Sequence, residues 1–112
     1  MAFLQRITQN RNTQTLSSNA FTASLSFHFV DNQNGDPNDQ CDTISGGVMG
    51  QLLVLQSLSS ARDTWFFDGT GNIKMNVSSN FQLNNVADTV MFIYNANNSL
   101  WCEIARSDNT AG

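Results

Sequence analysis

The stretch FTASLSFHFV, Phe21 to Val30, decides how this chain is read. Phe21, Ala23, Leu25, Phe27 and Phe29 alternate with Thr22, Ser24, Ser26 and His28. Strict period two means a β-strand with one apolar, buried face and one polar face. On this reading His28, the only histidine of the chain, points away from the phenylalanines. It faces solvent or a neighbouring subunit.

The sequence on either side follows the same grammar. Residues 31–42 (DNQNGDPNDQCD) form a loop carrying the single proline, Pro37, and residues 43–47 a turn. The run 51–58 (QLLVLQSL) is almost continuously apolar, which suits a strand covered on both faces. Residues 64–67 (TWFF) make another short strand, and Asp68-Gly69-Thr70-Gly71-Asn72 is a strong turn signal. Ile73, Met75 and Val77 alternate, and Phe81 and Leu83 follow. Residues 89–94 (TVMFIY) and 100–105 pair across a turn at 95–99, with Trp101, Glu103 and Ala105 on one face. No helical period competes. The expectation is an all-β chain of seven or eight short antiparallel-type strands in a sandwich, barrel or β-prism. Residues 1–20 read as an N-terminal arm or edge strand, 21–109 as a single β domain and 110–112 as a tail.

Composition agrees. Charged residues make up 12% of the 112 positions, with one lysine (Lys74) and one glutamate (Glu103). Lys and Glu fill most solvent-facing helices, so their scarcity argues against a long exposed helix. Asparagine occurs fifteen times and favours turns by bonding nearby backbone. Such an uncharged polar surface over aromatic strands is typical of extracellular or virion β proteins.

The net charge is −4, and Arg6, Arg11, Arg62, Lys74 and Arg106 are scattered. Nucleic-acid binding needs a concentrated positive footprint, so it is set aside. No run approaches the length of a membrane span, and no secretory signal opens the chain. Synthesis in a cytoplasm argues for free thiols at Cys41 and Cys102 rather than a bridge.

Chemistry finds little to build on. His28 lacks a marked nucleophile and orienting group. Cys41, Cys102 and His28 are too isolated for zinc. The 31–42 loop is rich in oxygen donors, with Asp31, Asp36, Asp39 and Asp42. Its glycine, Gly35, falls in the wrong register for an EF-hand, so it reads as a polar turn. Glu103, near Trp101, reads as a strand residue paired with Arg106 or Arg62 rather than a catalytic acid. No cofactor and no enzymatic activity are expected.

A triplet Asp-Thr-apolar occurs at Asp42-Thr43-Ile44, Asp63-Thr64-Trp65 and Asp88-Thr89-Val90. The spacing fits one unit of a stacked β architecture, with Asp capping a turn and Thr entering a strand. Coincidence in a biased composition explains the triplets equally well.

The segments DTISGGVMGQLLVLQ (42–56), DTWFFDGTGNIKM (63–75), FQLNNVADTVMFIYN (81–95) and LWCEIARSDN (100–109) together resemble bacteriophage virion structural proteins, both capsid decoration (cement) proteins and tail-fibre modules. The resemblance implies a non-enzymatic virion component, made in the host cytoplasm, that assembles as a homotrimer. Small size favours a decoration protein bound to the major capsid protein or other virion proteins. Phe21, Leu25, Phe27, Phe29, Trp65, Phe67 and Trp101 are the expected interface residues. The alternative is a receptor-binding module that recognises surface glycans through Tyr94, Asn95, Asn97 and Trp101.

Overall fold

The computed structural model describes residues 12–109. The first eleven residues of the expected arm, and the tail 110–112, lie outside the described residues. The described chain is all-β, with two single 3-10 turns. The strands are β1 (Thr13–Thr15), β2 (Ala20–Thr22), β3 (Phe27–Asp31), β4 (Asn38–Gln40), β5 (Thr43–Ser45), β6 (Leu52–Ser57), β7 (Asp63–Phe66), β8 (Ile73–Lys74), β9 (Phe81–Leu83), β10 (Thr89–Asn95) and β11 (Leu100–Ser107). They form a six-stranded sheet ordered β1-β3-β6-β10-β11-β8, a pair β2-β5 and a three-stranded sheet β4-β7-β9.

The sheets are mixed, and the antiparallel arrangement expected from the sequence is not what forms. β1, β3 and β6 run parallel, as do β2 with β5, β4 with β7, and β8 with β11. Ala20 lies beside Thr43, Asn38 beside Asp63 and Phe27 beside Val54, offsets of 23, 25 and 27 residues. Successive circuits of the chain therefore stack on one another, strand upon strand, in a solenoid-like arrangement. Between the named strands, antiparallel pairing enters late, where β9 joins β7 and where the β10–β11 hairpin joins β6. Period two cannot distinguish the two directions, because side chains alternate equally in both.

The stretch 21–30 is not one strand. β2 ends at Thr22 and β3 begins at Phe27. The bend between them reverses which side faces inward. Phe21 and Ala23 are buried, but beyond the bend His28 and Val30 take the core positions and Phe27 and Phe29 turn outward. His28 makes the bend: its Nε2 accepts the backbone N–H groups of Ser24 and Leu25 at 3.0 and 3.2 Å. Its Nδ1 then carries the proton and donates to Asn12 Oδ1 at 2.6 Å.

A second departure occurs after β8. The strand stops at Lys74 because carboxylates capture the next backbone donors; Met75 is still buried, and the alternation Ile73, Met75, Val77 fails at Val77. Met75 N–H goes to Asp68 Oδ1 and Asn76 N–H to Glu103 Oε1, both at 2.8 Å. Val77 is left exposed at φ 46°.

The core is built from Leu53 and Leu55 of β6, Val90 and Phe92 of β10, Phe66, Leu83, Ile44, Ile73 and Trp101. Polar groups inside it are bonded. Asn72 bridges Ile44, accepting its N–H at 2.9 Å and donating to its carbonyl at 2.8 Å. Trp101 Nε1–H donates to the same carbonyl at 2.9 Å. The approach needs Gly71, at φ 52°, since a Cβ there would overlap the Asp42 carbonyl.

All three Asp-Thr triplets stand at strand entries, opening β5, β7 and β10. Asp88 caps backbone as expected, accepting from Asn84 N–H and Asn109 N–H. Asp42 instead accepts from the side chains of Asn19 and Gln40. Among the described residues no helix is long and apolar enough to cross a membrane.

Candidate functional site

The titratable groups inside the fold are engaged in holding it together. Glu103 is buried and accepts from Asn76 N–H and from Arg106 Nε and Nη2, each of these last at 2.7 Å. Arg106 continues to the carbonyls of Ser79 and Asn80 and lies over the Phe81 ring. Burial pulls the His28 pKa down, partly opposed by its bond to Asn12. Burial pushes the Cys41 thiol well up. Cys41 and Cys102 are free, the first in the core and the second on the outer side of β11.

The 31–42 loop turns the carboxylates of Asp31, Asp39 and Asp42 onto the protein, and Asp36 is exposed. Asp31 pairs with Arg62, and Asp39 accepts Gln33 N–H and Gln40 N–H. Among the described residues no group of three or more His, Cys, Asp or Glu is placed to hold a metal ion.

Two outward-facing surfaces stand out. The first is the outer side of the six-stranded sheet. β6 is central and its inner residues Leu53 and Leu55 are fully buried, as its apolar run demands, but its outer residues meet no cover among the described residues. Leu52 is 43% exposed, and Val54 is half-buried. Register lines up Phe27, Val54, Met91 and Ala105 in one row across four strands, and Leu52, Ile93 and Cys102 in the next. Ile104 is 51% exposed beside them, displaced by an irregularity in the β10–β11 pairing. The neighbouring row is mostly polar: Phe29, Gln56, Thr89 and Ser107. Phe27 and Phe29 meet edge to face with ring centroids 5.1 Å apart. The result is an apolar band about 15 Å wide at ordinary strand spacing, with a polar border.

The second surface is the outer side of β4-β7-β9. Trp65 and Phe67 are half-buried, and their rings are parallel within 6° with centroids 5.4 Å apart. With Asn19, Asn38, Asp39 and Gln40 they line a shallow hollow of about 250 Å3. Gln40 and Gln82 sit directly opposite Trp65 on the two flanking strands.

The residues singled out from the sequence are thus divided. Phe27 and Phe29 lie on the first surface, Trp65 and Phe67 on the second. Leu25 is 38% exposed at the bend after β2. Phe21 and Trp101 are core. Trp101 packs its ring 4.9 Å from that of Tyr94. The other side of Tyr94 is closed by Gly47, where a Cβ would come within 2.6 Å of the ring. Asn95 and Asn97 are joined to each other by a 2.9 Å bond in the hairpin turn. Tyr94 and Trp101 therefore form no open shelf with them. The sequence reading missed Leu52, Val54, Met91, Ile93 and Cys102 as surface residues. The apolar run 51–58 predicts cover on both faces, and the alternation of 89–94 does not say which face is open. It also missed the amides around Trp65, which converge from three separate segments.

No family model, no curated protein and no solved structure matches this chain.

Proposed function

We propose that this protein is a non-catalytic assembly module, a homotrimeric decoration or cement protein on a bacteriophage capsid. The observation that carries this reading is the uncovered apolar band on the six-stranded sheet. An all-parallel sheet is normally covered on both faces; this sheet is parallel through β1, β3 and β6, and among the described residues only its inner face is covered. A contiguous exposed apolar patch with a polar rim marks an association surface.

A second copy of the chain suits the band. Each copy carries a net charge of −4, so copies repel unless they meet where charge is absent. The band is such a place: its two apolar rows hold no carboxylate, and Lys74 stands at its edge, paired with Asp68. Burying it also shields a broad apolar sheet from unwanted association. The virion assignment, with the major capsid protein as partner, comes from the resemblance over residues 42–109.

Mass in solution is the direct test. The wild-type protein is expected at three times its 12.3 kDa chain mass. Val54→Asp combined with Met91→Asp is expected to give a folded monomer, because unpaired carboxylates in a buried contact are costly. A wild-type monomer at every concentration overturns the proposal. The capsid role is tested separately by electron microscopy of particles: density at capsid symmetry axes supports it, and density confined to the tail overturns it.

A further inference from the structure

We infer that the hollow over Trp65 and Phe67 is a binding site for a neutral saccharide, on a face distinct from the apolar band.

The first argument is the display of the aromatic pair. In the Asp-Thr triplets that open β5 and β10, the third residue points inward: Ile44 and Val90 are at most 1% exposed. The triplet opening β7 has the opposite phase. Thr64 is buried and donates its hydroxyl to Asn32 Oδ1 at 2.6 Å, which leaves Trp65 outside. A buried hydroxyl with its bond made therefore fixes the indole on the surface, and Phe67, two residues on, stacks beside it.

The second argument is what surrounds the rings. Gln40 donates Nε2–H to Asp42 Oδ1 at 2.5 Å, and Asn19 donates Nδ2–H to Asp42 Oδ2 at 3.3 Å. Asp42 thus holds both amides by their nitrogen ends and leaves their oxygens as acceptors. The side-chain amide of Asn38 is exposed with no bond to a described residue. Asn and Gln both donate and accept, as vicinal sugar hydroxyls do. The rings offer flat, electron-rich faces to the polarised C–H bonds of a pyranose. An apolar floor with a few convergent polar groups is the ordinary composition of a small-ligand site. The hollow has room for one or two sugar rings.

Charge excludes the other candidates. Asp39 lines the hollow, and the chain is acidic, so phosphate-bearing ligands and nucleic acids are repelled. A metal is not indicated, since both Asp39 oxygens accept backbone N–H groups. A protein partner would meet amides rather than a continuous apolar core.

Saturation-transfer NMR on the full chain tests this with four probes: maltotetraose, cellotetraose, chitotetraose and mannotetraose. At least one is expected to receive transfer, with millimolar affinity. Trp65→Ala is expected to abolish it, and Gln40→Ala to weaken binding about tenfold by removing one anchored amide. Val54→Asp, on the other face, is expected to leave it unchanged. Silence from all four probes overturns the inference, as does transfer that survives both Trp65→Ala and Gln40→Ala. If Trp65→Ala fails to fold, unchanged binding in Gln40→Ala and Asn38→Ala overturns it equally. Loss of oligomer mass in Trp65→Ala, with no probe bound by wild type, would assign the hollow to a protein contact instead.

Discussion

The imidazole Nε2 of His28 accepts the backbone N–H of Ser24 at 3.0 Å. This bond, with its companion from Leu25, requires the ring to be neutral. Protonation would set a donor against two donors. Burial accordingly holds the folded pKa below its ordinary 6.5. Between the folded pKa and 6.5 the unfolded chain binds more protons than the native one. Stability is therefore complete above 6.5, falls as pH drops through it, and levels once the folded ring is itself protonated. Urea midpoints measured at about pH 7.5 and about pH 5.5 are expected to be lower in acid, and His28→Gln is expected to flatten this segment of the profile.

Glu103 and Arg106 form the clamp that ties β11 to the 76–80 segment. The Glu103 side chain is fully buried and that of Arg106 is 28% exposed. Glu103→Ala leaves Asn76 N–H and part of the guanidinium without acceptors. The expected loss is about 2 kcal/mol, below the range for a fully buried pair because solvent still reaches the arginine. Denaturant unfolding measures it. Retained stability in Glu103→Ala would show that the clamp contributes little.

Asn72 substitutes for a neighbouring strand by bonding both backbone groups of Ile44. Asn72→Ala strands the Ile44 N–H in the core, while the Ile44 carbonyl keeps Trp101. A destabilisation of about 2 kcal/mol is expected, or a fall of roughly 10 °C in Tm for a domain of this size. Thermal unfolding followed by circular dichroism checks it.

Val77 is 85% exposed at φ 46°. A β-branched residue is strained there, and its exposure means little packing is lost on replacement. Val77→Asn is expected to raise stability by about 1 kcal/mol, because Asn tolerates the left-handed region. An unchanged or lower Tm would contradict this.

Cys102 sits in the apolar band opposite Ile93, while Cys41 is inaccessible. One thiol per chain is expected to react with a maleimide in the dissociated protein, at Cys102. Association through the band predicts protection of Cys102 at high protein concentration, and a bulky label there predicts dissociation. Mass spectrometry of the labelled protein reads both.

Much of this architecture follows from sequence alone. Alternation and turn residues determine that the chain is β, that 68–72 and 95–99 are turns, and that strands begin near Thr64 and Thr89. These are local properties, set by side-chain periodicity and by which residues satisfy turn backbone. The tertiary structure decided the rest. β4 and β5 form where the sequence reads a loop and a turn, because each finds a parallel neighbour more than twenty residues away. Parallel stacking joins residues 16 to 28 positions apart, and side-chain alternation does not encode it. The inward face of a strand is likewise undetermined when both faces are apolar. The phenylalanines at 27 and 29 are as hydrophobic as any core residue. His28 nevertheless lies inside, because its ring accepts two backbone donors at the bend, the N–H groups of Ser24 and Leu25.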